Sequence, residues 1–245
     1  MVNKVPAAVL SFWLIKVIAT TVGETGADYL AVNAGLGAAV TGCITATLLA
    51  IALAAQLRSR RFVPWLYWLC VVLLSVAGTQ IADALTDGLG VSLYLSTGVF
   101  AVMLALLFAA WYRRERTLSI TTINTGRRER CYWAAILLTF ALGTAAGDLA
   151  TEELALGFRL GVVVFGALIA VIYAANRSGA NAVLTFWLAY ILTRPLGASL
   201  GDLLSQSTEY GGIGWGTVNT SIVFLLAIAA LVAMVSRRPV AIHSN

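Results

Sequence analysis

The stretch FWLAYILTRPLGASLGD, residues 186–202, ends an otherwise oily run on an aspartate. It recurs three times, as FWLIKVIATTVGETGAD (12–28), YWLCVVLLSVAGTQIAD (67–83) and YWAAILLTFALGTAAGD (132–148). Each copy reads aromatic, Trp, nine residues, Gly, three residues, Ala or Gly, then Asp, without an insertion. Trp13, Trp68, Trp133 and Trp187 therefore precede Asp28, Asp83, Asp148 and Asp202 by fifteen positions each. Agreement at several fixed positions in four copies marks an internal repeat. The copies are 55, 65 and 54 residues apart, and the longer middle interval holds an Arg-rich segment, so the chain reads as two halves of two units.

What surrounds the repeats assigns them to a membrane. The 245 residues are 60% hydrophobic and only 11% charged, against roughly a quarter charged in soluble domains. Apolar runs long enough to cross a hydrocarbon core about 30 Å thick fall at 5–31, 34–57, 63–86, 91–112, 131–153, 157–175, 181–205 and 215–236. The expected fold is all-α: a polytopic membrane bundle of eight transmembrane helices, built from four parallel two-helix repeats. It forms a single domain over 1–245, with halves at 1–112 and 131–236, a basic loop at 113–130 and a tail at 237–245. The first span lacks a signal-peptide cleavage pattern and reads as a retained helix.

Charge sets the expected orientation. Lys4, RSRRF (58–62), the 112–130 segment, NRSGAN (176–181) and the tail hold nearly all Lys and Arg; the exceptions are Lys16, Arg159 and Arg194. With eight spans these segments share one side, which the positive-inside rule makes cytoplasmic. That places both termini in the cytoplasm of a bacterium, with the chain in its inner membrane. The net charge of +5 is then a matter of topology, and no nucleic-acid partner is implied. Cys43, Cys70 and Cys131 are scattered as packing residues, and one histidine, His243, leaves no Cys/His zinc set.

The acids gather at the opposite end. Fifteen helical residues rise about 22 Å, so the Trp residues lie near the inner interface, as anchors, and the Asp residues near the outer one. Gly23/Ala27, Gly78/Ala82, Gly143/Gly147 and Gly197/Gly201 are four apart on one face, a spacing that lets helix backbones approach in lipid. Four such helices would bring Asp28, Asp83, Asp148 and Asp202 around one axis. Glu24, Asp87 and Glu152, each four residues from a repeat Asp, add second oxygens on the same face, and Gln206 does so in the last repeat. Thr20, Thr25, Ser75, Thr79, Gln80, Thr139, Thr144, Thr193 and Ser199 offer further oxygens within a turn or so.

Other residues carry secondary expectations. Arg194 lies eight residues before Asp202, on roughly its face and about 12 Å deeper, placed as a counter-ion or gate. Lys16 is expected to snorkel toward the inner interface. Pro195 should kink its span and free carbonyls near the cleft. Asn33, Thr41, Thr97, Asn219 and Thr220 on the alternate spans suit hydrogen bonds between helices.

Oxygen ligands without His or Cys favour a hard cation such as Mn²⁺, Mg²⁺ or Ca²⁺. The repeated aromatic-Trp…Gly-x-x-x-[Ala/Gly]-Asp pattern, with TFALGTAAGDL and AYILTRPLGASLGDLL, resembles a widespread family of uncharacterised bacterial inner-membrane proteins across essentially the whole chain. It is more loosely similar to cation exchangers with Glu-x-Gly-Asp motifs in two repeated helices, which implies Mn²⁺ or Ca²⁺ as cargo. This chain departs from them in having four motifs and no basic residue after the Asp. The expected function is transport of a divalent cation, manganese export first, with no cofactor beyond that ion and with the lipid bilayer as partner; a homo-oligomer is compatible with it. The alternatives are a proton-coupled carrier of a small organic solute and a non-transporting sensor or assembly protein. An enzyme is not expected: SLGDLL resembles the Gly-x-Gly-Asp of intramembrane aspartyl proteases, but four equivalent acids are two too many for a catalytic dyad.

Overall fold

A computed structural model describes residues 3–30 and 37–237, with the backbone alone at Asp28. The Asp28 side chain, Asn33 and the tail from 238, His243 included, lie outside the described residues. The described chain forms eight helices and no strand: α1 (Leu10–Asp28), α2 (Gly37–Arg58), α3 (Pro64–Asp83), α4 (Leu93–Glu115), α5 (Gly126–Asp148), α6 (Gly157–Arg177), α7 (Ala182–Ser205) and α8 (Thr217–Arg237). Local chemistry starts several of them. Pro64 opens α3, where its missing N–H is no loss. Ser92, Thr125 and Asn181 cap α4, α5 and α7 by accepting from backbone N–H groups of the first turn.

Seven of the eight helices, α2 to α8, are long and apolar enough to cross a membrane, and the chain is a multi-pass membrane protein. The exception is α1, which carries Lys16 and Glu24 within its length. It nevertheless runs level with its three counterparts, as the contacts below require. The 113–130 segment is not an open loop. α4 continues to Glu115 and α5 begins at Gly126, with a 3₁₀ turn between them and Ile123 fully buried.

The four repeat helices form a closed ring: α1 packs on α3, α3 on α5, α5 on α7, and α7 back on α1. Each remaining helix packs chiefly on the ring helix of the following repeat. Thus α2 lies on α3, α4 on α5, α6 on α7, and α8 closes the circle on α1. The shell faces lipid: 11–17% of the apolar windows of α2, α4, α6 and α8 is buried, against half or more in α3, α5 and α7. This sorting follows from side-chain size. Large apolar residues cover the outer helices, while the repeat helices carry glycines that admit a neighbour.

The same contact is made four times around the ring. A Cβ at Gly23 would run into Ser75, at Gly78 into Phe140, at Gly143 into Arg194 and at Gly197 into Thr20. Ser75, Phe140, Arg194 and Thr20 stand at one repeat position, seven after the Trp, so every glycine receives the same residue of the next repeat. A second layer obeys the same rule. Phe12 meets Trp68 at 5.6 Å between ring centroids, Tyr67 meets Trp133 at 5.4 Å, Tyr132 meets Trp187 at 6.3 Å and Phe186 meets Trp13 at 5.5 Å. The ring is therefore quasi-fourfold, with parallel helices in register. Tyr67 and Tyr132 join their hydroxyls across it at 2.5 Å.

Three of the four repeat tryptophans are accordingly core residues rather than interfacial anchors, and Trp13 is half-buried against that core. Trp68, Trp133 and Trp187 are buried, because a planar ring between two neighbouring helices gains contacts on both faces. Beyond them the N-terminal segment crosses the basic end. Lys4 pairs with Glu129 at 2.5 Å, Gln56 Nε2 donates to Glu129 at 3.2 Å, and Lys4 N donates to Ile123 O at 3.1 Å. Val5 and all three polar side chains are buried there, so this end of the ring is closed.

Candidate functional site

At the acidic end the ring opens into a cavity of about 230 Å³, several times the ~30 Å³ share of one liquid water. Glu24, Asp83, Asp87, Asp148, Glu152 and Asp202 line it, with Gln206. These are the acids that the repeats single out, save Asp28, which closes α1 at the equivalent position. The backbone delivers them in two steps. Asp83 and Asp148 end their α-helices, and each is followed by a single π-helical turn, Ala84–Gly88 and Leu149–Glu153. Those wider turns carry Asp87 and Glu152 on to the rim of the same cavity; π-turns inside helices cluster at functional sites. α7 ends differently: Ile213, Trp215 and Gly216 donate their N–H groups to the carbonyls of Leu203, Leu204 and Ser205, which folds the 206–216 loop back over the helix end.

Arg194 forms the floor. It is fully buried, and its guanidinium reaches all three other ring helices. Nε donates to Thr144 Oγ1 at 2.9 Å, Nη1 to the Thr20 carbonyl at 2.9 Å, and Nη2 to Glu24 Oε2 and Thr79 Oγ1. Glu24, Thr79 and Thr144 each follow the repeat glycine directly; the fourth such position is Ala198, on Arg194's own helix. One repeat thus supplies a cation on the quasi-fourfold axis, and the other three supply its acceptors. The planar fork of Arg suits divergent acceptors as an ammonium does not. Arg194 is paired with Glu24 and buried between the ring helices.

Lys16 does not snorkel. Its side chain is fully buried, and Nζ has no hydrogen-bond partner. It stands 4.0 Å from the Phe140 ring centroid and 4.3 Å from that of Tyr190. The helix face decides this: Lys16 shares its repeat position with Val71, Ile136 and Tyr190, all buried in the ring. An aromatic face returns about 2 kcal/mol to a desolvated cation, whereas burying an ion costs several.

The neutral oxygens divide. Thr79 and Thr144 reach Arg194, but Thr139, Thr193 and Thr25 donate to carbonyls three or four residues back on their own helices. Thr20 also donates across to the Thr193 carbonyl at 3.1 Å and Thr21 to that of Gly197 at 3.0 Å, binding α1 to α7. Pro195 lies inside an unbroken α7, and the Ile191 carbonyl that it deprives of a donor faces Gly143. On the outer helices Asn219 and Thr220 bond to the end of the loop that leads into α8, to Trp215 O and Gly216 O, rather than between helices; Thr41 and Thr97 hydroxyls have no partner. Leu93 and Phe158, at the starts of α4 and α6, complete the cavity wall. Nothing in the repeat pattern marks them, since they come from outer helices.

The cavity is strongly acidic. Six carboxyl groups face one guanidinium, and two unit charges 4 Å apart near a protein surface repel by about 4 kcal/mol. A bound cation relieves that repulsion. Among the described residues no three His, Cys, Asp or Glu side chains are grouped closely enough to hold one bare metal ion.

Four parallel helix pairs closing into a ring define a repeat-built membrane bundle. The segments 11–62, 66–117, 131–177 and 185–239 each match the family model described as Repeat of Unknown Function (DUF347), and the chain belongs to that family. No curated protein and no solved structure matches it.

Proposed function

We propose that this protein transports cations across the membrane and that the acid-lined cavity is where it takes or releases them. The observation that carries this reading is the convergence of carboxyl groups from α1, α3, α5 and α7, with acids of two π-turns, on one cavity. A divalent metal is the first candidate, manganese ahead of magnesium and calcium, and the expected direction is export. With the basic end cytoplasmic, the cavity faces outward. Its width and the spread of its acids suit an ion that keeps part of its water shell, the habit of hard cations bound by few carboxylates. Arg194 and the aromatic layer close the axis beneath, so movement across the membrane requires the ring helices to shift against one another rather than an open pore.

A second reading rests on the same spread of acids and on the apolar wall of Leu93 and Phe158: a short aliphatic diamine, with an ammonium at each side and carbon between. Protein reconstituted in liposomes and given manganese or a diamine on either side separates the two. Asp148→Asn and Asp202→Asn are each expected to lower flux at least tenfold with the helical content unchanged. Flux equal to that of the unaltered protein in both variants overturns the assignment of the cavity as the transport site.

A further inference from the structure

The ring holds a second buried cation that the cavity itself does not use. Lys16 lies on the inner face of α1, four repeat positions and so about one helical turn below the level of Arg194, and its amine lies over the faces of Phe140 and Tyr190. The Tyr190 hydroxyl is itself buried without a partner. Among the titratable and charged groups of the helices packed in the ring, α7 brings Arg194 and Tyr190 to this amine; Tyr67 and Cys70 of α3 and Tyr132 of α5 are buried in the ring, and Glu24 follows eight residues further along α1. α8 has no titratable side chain between Thr217 and Ser236. Arg194 is the charged group that acts on Lys16, and Arg194 is itself ion-paired with Glu24.

We propose that Lys16 is a proton-binding site coupled to the cavity: it holds a proton while Glu24 pairs with Arg194, and gives it up when a cation takes Glu24. This rests on the cavity being a cation site. With the cavity empty, Glu24 offsets the guanidinium, and the ammonium below faces a nearly neutral pair. A cation bound at Glu24 draws that carboxylate away from Arg194 and adds its own positive charge above the low-dielectric ring. Arginine does not release its proton in proteins, whereas a buried lysine does, so the charge lost from the column is the Lys16 proton, which passes to water. Occupancy of the cavity by cargo and of Lys16 by a proton then exclude one another, which makes the carrier an exchanger of cation for proton.

The test is proton release on adding manganese(II) chloride to the full chain in weakly buffered detergent, read with a pH-indicator dye, beside manganese affinity measured separately. Unaltered protein is expected to release one more proton per bound ion than either Lys16→Met or Lys16→Arg. Lys16→Met should bind manganese with an affinity that varies less with pH, and Lys16→Arg should bind it more weakly, at least tenfold, at every pH. Equal proton release in the unaltered protein and in whichever variant folds overturns the Lys16 assignment while leaving the cavity in place. Absence of manganese binding to the unaltered protein overturns the cavity reading instead.

Discussion

Replacing Gly78 by alanine tests the ring directly. A Cβ there would press into Phe140 Cβ and come within 3.1 Å of Ala141 N and 3.2 Å of the Phe140 carbonyl carbon. Backbone atoms cannot rotate away, so α3 and α5 must separate. Gly26 is the matched control, since a Cβ on it meets only Val76 Cγ2 at 4.0 Å, an ordinary contact. Both substitutions gain about 1 kcal/mol of helix propensity, which cancels between them. What remains is the overpacking at Gly78, about 1–3 kcal/mol, a factor of roughly 5 to 150 in the folded-to-unfolded ratio. The assay is unfolding in detergent followed by tryptophan fluorescence, which reports on the aromatic layer. Gly26→Ala should unfold at or above the midpoint of the unaltered protein and Gly78→Ala several degrees below Gly26→Ala. Gly78→Ala should also bind manganese more weakly, because widening the ring spreads the carboxyl groups above it. Coincident midpoints for the two variants would refute close helix approach as the reason for the repeated glycine.

Two further outcomes follow from the axis. Arg194→Met strands Glu24 without its partner and is expected to cost about 3–5 kcal/mol, while Glu24→Gln combined with Arg194→Met recovers part of that loss; equal stability of Arg194→Met and the unaltered protein contradicts the floor described above. Tyr67→Phe and Tyr132→Phe each break the 2.5 Å hydroxyl pair and leave one buried hydroxyl unsatisfied, at about 1–3 kcal/mol. The double Phe variant should lose less than the two single losses added, and strict additivity in a denaturation series speaks against the pairing.

The buried polar groups lie in a column. Acids occupy the open end, Arg194 and Lys16 follow beneath, then the aromatic layer, and Lys4 with Glu129 and Gln56 closes the far end. A permanent pore for cations would not set two cations on its axis. On the proposed transport reading, charges that exchange partners as the ring shifts would give those two residues a purpose, and the quasi-fourfold symmetry would supply interfaces of equal construction for the shift. Departures from symmetry mark where the repeats have diverged in chemistry: the position of Arg194 is Thr20, Ser75 and Phe140 elsewhere, and that of Lys16 is Val71, Ile136 and Tyr190.

By itself the sequence determined the number of helices, the fourfold repetition, the parallel run of the repeat helices and the acids that share one end. Each of these is written in short-range periodicity, in the spacing of Trp, Gly and Asp, and in a hydropathy pattern that the bilayer forces on any spanning segment. Only the tertiary structure decided that each outer helix covers the next repeat, that Trp68, Trp133 and Trp187 are core, that Lys16 stays buried, and that Arg194 takes its side-chain partners one position after the glycines. Those outcomes depend on which helix face meets which neighbour around a closed ring. A residue's distance along the chain does not carry that information, because the groups touching Arg194 lie between 50 and 174 positions away from it.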